Sequence, residues 1–190
     1  MHKSVMIGIV LGALHAASLS AQESHRRQGF WIGFGLGGGV NLSKGLDDKQ
    51  LWGGNGYIRL GGTTKRNLLL GGEVIGWGRD YHDITLSRGN VHFVALYYPN
   101  VQGGFYLKGG VGVAEIARER TQGSTQTRTT KGGFGTGVGL GYELQIGRNL
   151  YLVPATDILL QVFERQTDPV LGRVPGSNTL LLFTLGLTWH

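Results

Sequence analysis

Cysteine is absent from this chain. No disulfide can brace it, and no lipid-modified cysteine can anchor it at a cleavage site. Acidic residues are scarce as well, 12 against 18 lysines and arginines. The first segment, MHKSVMIGIVLGALHAASLSAQES, offers no spanning helix, because its apolar run from Val5 to Leu14 falls short of the ~20 residues such a helix needs. That segment instead has a basic start at His2 and Lys3, an apolar middle, and small residues from Ala16 to Ala21, the three-part layout of a secretory signal peptide. The expected organisation is a signal peptide over 1–21 and one domain over 22–190. Removing Lys3 with the signal leaves 17 basic and 12 acidic residues, a net charge of +5. For an exported chain that excess points away from nucleic acid and toward anionic lipid head groups.

What the chain has in abundance is glycine, 35 of its 190 residues. Within "GFWIGFGLGGGV" (29–40), Gly33, Gly35 and Gly38 match the GxGxxG spacing of a dinucleotide-binding turn. That chemistry requires a helix directly afterwards, whose N-terminus receives the pyrophosphate. The residues that follow, Asn41 to Asp48, read as a loop. Taken two by two the stretch sorts differently: Phe30, Ile32, Phe34, Leu36 and Val40 on one side, Trp31, Gly33, Gly35, Gly37 and Gly39 on the other. This is a strand with one greasy and one bare face.

The same alternation recurs seven times. It runs through "GYIRLGG" (56–62), "LLLGGEVIGW" (68–77), "GGFYLKGGVGVAEI" (103–116), "FGTGVGLGYELQIG" (134–147), "NLYLVPATDILLQVF" (149–163) and "NTLLLFTLGLTWH" (178–190), and less clearly through "NVHFVALYYPN" (90–100), which is apolar on both faces and is assigned with Val91, Phe93, Ala95 and Tyr97 outward. Pro154 interrupts one of them and predicts a bulge. Connections at 43–54, 79–89, 117–132 and 164–177 read as long and polar, those at 62–67, 99–103 and 146–149 as short. An even strand count with long and short ends separated predicts an all-β, eight-stranded antiparallel up-and-down transmembrane barrel. Aromatic residues at both ends, Phe30, Trp31, Tyr97, Tyr98, Phe105, Tyr106, Tyr142, Tyr151 and Trp189 at one and Trp52, Trp77, Tyr81, Phe134 and Phe163 at the other, predict two interfacial girdles. The glycines then serve a narrow interior, where bulkier neighbours cross. A soluble ligand-carrying barrel would invert this arrangement, with its apolar residues inside.

With that pattern established, the chain resembles the small outer-membrane β-barrel proteins, the class of OmpX and the OmpA transmembrane domain. The likeness is carried by "GFWIGFGLGGGV", "NLLLGGEV", "YLKGGVGV" and "LLLFTLGLTWH". It implies residence in a bacterial outer membrane, and it implies recognition of the last strand by the barrel-assembly machinery through Gly186 and a terminal aromatic, Trp189. Here His190 follows that aromatic. It further implies a monomer among outer-membrane lipids.

Two groups of residues are candidates for function. Arg59, Glu73, Lys108, Glu143 and Asp157, with Gln145, fall on the inner face, where charges must pair with one another. They would form either a static plug or a gated polar channel, and the plug is expected. Arg118, Arg120, Arg128 and Lys131 lie in the stretch "RERTQGSTQTRTTKGG", expected as an external loop able to bind lipopolysaccharide phosphates. The expected role is structural or surface-interacting, the alternative a ligand-binding or weakly conducting small-solute barrel. A lipid A-modifying enzyme is disfavoured, because neither a His-x-Ser nor an Asp-Ser pair occurs in the mature chain. Asp80, His82 and Asp83 could hold a metal only with further ligands, so neither metal nor cofactor is expected.

Overall fold

The structure, a computed structural model, describes residues 27–43, 51–81, 84–122, 125–164, 167–168, 172–173 and 176–190. The segment expected as a signal peptide lies outside them. Eight long strands stand out: β1 Phe30–Asn41, β2 Leu51–Lys65, β3 Leu68–Tyr81, β4 Ile84–Tyr97, β5 Phe105–Gln122, β6 Thr125–Tyr142, β7 Leu150–Val162 and β8 Ser177–Trp189. Each pairs antiparallel with its neighbours in sequence, and β8 returns to pair with β1. The sheet is closed, which is the condition for strands to stand in hydrocarbon without unpaired backbone groups.

Register fixes the geometry of that closure. A walk across paired residues from Phe30 passes Gly62, Leu70, Ala95, Gly109, Val138, Ile158 and Leu181, and re-enters β1 at Val40, ten residues above its start. A stagger of that size over eight strands about 4.8 Å apart tilts them by roughly 40°. The lumen of such a barrel is only wide enough for side chains.

Alternation along the strands does the sorting. Phe34, Ile58, Val74, Phe93, Val113, Val138, Leu160 and Leu185 are exposed on the outer surface, while their sequence neighbours are buried or half-buried. "NVHFVALYYPN", apolar on both faces, resolves into Val91, Phe93 and Tyr97 outward and His92, Val94, Leu96 and Tyr98 inward. The inner glycines of β1 and β6 make room for large neighbours. A Cβ on Gly35 would lie 2.6 Å from the Tyr57 ring, and one on Gly141 would enter the ring and hydroxyl of Tyr106. No helix follows Gly33, Gly35 and Gly38, which lie in β1. The dinucleotide geometry is absent there.

Four expectations are corrected. The connections expected at 79–89 and 117–132 are largely strand, since β3 runs to Tyr81, β4 begins at Ile84, β5 reaches Gln122 and β6 starts at Thr125. Backbone ladders need no hydrophobic alternation, so polar hairpins extend beyond the greasy belt unannounced. Second, the girdles are mixed. Phe30, Tyr97, Phe105, Tyr142 and Trp189 face outward, but Trp31, Tyr98, Tyr106 and Tyr151 fill the lumen at the same end, as Trp77 and Phe163 do at the other. Third, Val40 is buried although the alternation put it outside. Fourth, Pro154 causes no bulge. The β6–β7 ladder breaks between Gly141–Ala155 and the short pair Leu144–Leu152 with its register kept. A residue without an N–H ends a ladder more simply than it bends one.

Candidate functional site

The lumen is the chemically distinctive part of the molecule. In its middle β2, β3, β5 and β7 each contribute one charged side chain, and all four are buried: Arg59, Glu73, Lys108 and Asp157. Lys108 Nζ donates to Glu73 Oε1 at 2.8 Å and lies 2.7 Å from Asp157 Oδ1. Arg59 is Glu73's register partner across the β2–β3 pair, yet its Nη2 donates to the Tyr106 hydroxyl at 3.0 Å and its guanidinium lies over the Tyr57 and Tyr106 rings. Two cations face two anions, so the middle layer is neutral. Aromatic hydroxyls and ring faces supply the contacts that a bare ion pair would lack.

Glu143 is not part of this layer. It lies in the turn after β6, at the end of the short connections, and gathers a second cluster. Arg27 Nε and the Tyr98 hydroxyl donate to its two oxygens at 3.0 and 2.6 Å, and His190 Nε2 lies 3.0 Å away. Arg27 also donates to the carbonyls of Val101 and Gly103 and stacks on Tyr98, 3.6 Å from the ring centre. Burial alone would push the Glu143 carboxyl up. The hydrogen bond and charge of His190, the Arg27 charge and the Tyr98 hydroxyl outweigh it and bring the carboxyl down to about 2. The residue beyond the terminal aromatic thereby acquires a place: Trp189 faces out and His190 turns inward.

The five inner charges therefore form two clusters, four residues in one and Glu143 in the other. Gln145 joins neither. It is half-buried and donates to the Gly147 carbonyl of its own turn. Arg27, Tyr98, Tyr106 and His190 are lumen partners that sequence reasoning did not assign. The alternation of their strands marks the last three as inward, but Arg27 precedes the first strand and carries no such signal.

Above the middle layer, toward the long hairpins, a polar chain crosses the lumen. Asn178 donates to Gln161 at 2.9 Å, Gln161 to Asn90, and Asn90 meets His92 Nε2 at 2.8 Å. Of the candidate basic residues, none sits in an open loop, because all four lie in the β5–β6 hairpin. Register separates them. Arg118 and Lys131 continue the inner rows of Ala114 and Ile116, while the side chain of Arg120 lies outside the described residues. Arg128 sits on the outer row, 3.7 Å from Glu115. Asp80 is exposed and accepts from Thr85, while His82 and Asp83 lie outside the described residues. Among the described residues no cluster of three potential metal ligands forms.

A closed barrel with a greasy exterior, a side-chain-filled lumen and hairpins prolonged at one end defines a small bacterial outer-membrane protein. The chain belongs to the outer membrane protein beta-barrel domain family, whose model matches residues 9–153. Among solved structures it is similar to the attachment invasion locus protein Ail of Yersinia pestis, with a TM-score of 0.58 and 12% identity over 85% of this chain and 98% of that one. It is likewise similar to Neisserial surface protein A, with a TM-score of 0.59 and 14% identity over 85% and 97%. No curated protein sequence matches this chain.

Proposed function

We propose that this protein is a sealed, monomeric outer-membrane barrel with a structural or surface-interaction role and no catalytic one, inserted through its C-terminal strand by the assembly machinery. The observation that carries the reading is Lys108 held between Glu73 and Asp157, with Arg59 on Tyr106 beside them. We read such a layer as a seal, because every member would have to lose a partner to open a water path. In planar bilayers the folded protein should therefore give no steady conductance steps. Regular steps would favour the small-solute channel instead.

Contact with lipopolysaccharide belongs to the same proposal. The β5–β6 hairpin prolongs the barrel and carries Arg118, Arg120, Arg128 and Lys131, and guanidinium groups bind phosphate oxygens in pairs. Arg128, on the outer row, is oriented toward neighbouring lipid. Ail has been solved in complex with the heparin analogue sucrose octasulfate, and a polyanionic partner for a basic hairpin is the analogous expectation here. Replacing all four residues with glutamine should weaken co-purification of lipopolysaccharide in detergent, with Arg128→Gln alone giving the largest single effect. Unchanged association would remove this part of the proposal.

A further inference from the structure

One lumen cation differs from the rest. Arg88 lies on the inner row of β4, opposite Trp77 of β3 and Ile116 of β5. It is 9% exposed, and its Nε and Nη1 are buried without a hydrogen-bond partner. Lys108 has two carboxylates, Arg27 has Glu143 and two carbonyls, and Arg59, with its Nε alone unanswered, has a hydroxyl and two ring faces. A guanidinium held in the interior with unanswered donors is costly in itself. Its planar fork matches two oxygens of a tetrahedral anion.

The surroundings favour an anion. Asn90, Gln161 and Asn178, bonded to one another, form a floor next to Arg88. On the rows leading outward from it stand Arg118, opposite Leu86, and Lys131, opposite Ile116. Among residues whose side chains are described, the inward carboxylates are Glu73, Asp157 and Glu143, all on the far side of that floor. Glu115 is near in register but faces the lipid side, where it meets Arg128. Among the described residues the charge lining this mouth is therefore positive, and a narrow low-dielectric entrance concentrates it.

We propose that Arg88 is the base of an anion site in the extracellular mouth of the barrel. The site takes a phosphate or sulfate group, and Arg118 and Lys131 line its approach. It shares Arg118 and Lys131 with the proposed lipopolysaccharide contact but not Arg128, which lies on the outer row.

The test is calorimetric titration of inorganic phosphate into the full-length protein, folded in dimethylamine-oxide micelles at constant ionic strength. Wild type should bind saturably, and Arg88→Met should weaken binding at least about tenfold, as loss of a bidentate charged contact implies. Arg88→Lys keeps the charge but not the fork. It should weaken binding about threefold or more, and it serves if the methionine variant does not fold. Folding of each variant is read from its heat-dependent gel shift. Lys131→Gln should weaken binding by a smaller factor, and Arg148→Gln, at the opposite end of the barrel, should leave it unchanged. A phosphorylated hexose titrated in parallel identifies the source: tighter binding than inorganic phosphate assigns a glycan-borne group, equal or weaker binding a free anion. No saturable binding to wild type up to about 10 mM, an affinity of only ~3 kcal/mol, or equal affinity in the Arg88 variants, overturns the proposal.

Discussion

Lys108 shows how much a single side chain in this lumen can control. It satisfies two buried carboxylates at once, so replacing it with methionine strands two negative charges in a low-dielectric layer. The expected loss is about 3–5 kcal/mol, measured as a shift in urea-induced unfolding in lipid vesicles. Adding Glu73→Gln and Asp157→Asn to Lys108→Met should recover most of that loss, because a neutral layer of similar volume carries no desolvation penalty. Failure of the triple variant to recover would mean that shape rather than charge holds the layer. These residues were legible one by one, since a lysine or aspartate in mid-strand opposite Leu107 or Ile158 has only one face available. Which would touch which was not legible, because partners such as Glu73 and Lys108 come from strands that are not adjacent, and only the stagger of the closed sheet brings them level. Aromatic residues were ambiguous for a related reason: Trp189 and Trp31 have the same chemistry, and only strand parity separates an interfacial ring from a lumen one.

At the level of the strand, the outer face should discriminate by depth. Val138 is exposed, midway along the outward-facing run from Phe134 to Tyr142, and pairs with Gly109 and Ile158, whereas Ser87 occupies an outer position of β4 close to the long hairpins. Val138→Arg should cost about 2–4 kcal/mol in vesicles and Ser87→Arg only ~0–1. Equal costs at the two positions would contradict the tilt and register described above. The belt of each strand was readable because lipid outside and glycine or charge inside enforce a period of two. The prolongations were not, because "RERTQGSTQTRTTK" carries no hydrophobic alternation to select one face over the other. The hairpin that carries the candidate lipopolysaccharide contacts was thus visible in composition and invisible in shape.

For the molecule as a whole, closure is the property that matters, and β1 meeting β8 is where it is achieved. Glu143 ties that seam at its lower end by holding Arg27, ahead of β1, and His190, after β8. Its carboxyl is depressed from 4.5 to about 2, so its contribution is complete above about pH 4.5 and is lost as pH falls through about 2. The difference in unfolding free energy between wild type and Glu143→Gln should accordingly be largest near neutrality and shrink steadily between those two values. A gap that stays constant down to pH 2 would show that the clasp does not depend on ionisation.

Because one carboxylate grips both Arg27 and His190, the described stretches that lead into β1 and out of β8 lie within a few ångströms of each other. The strand-bearing part of the chain is nearly a ring already. A circular permutant that splices His190 to the residues ahead of Arg27 through a brief linker, and opens between Gln122 and Thr125, would begin and finish outside the cell while threading the same cylinder.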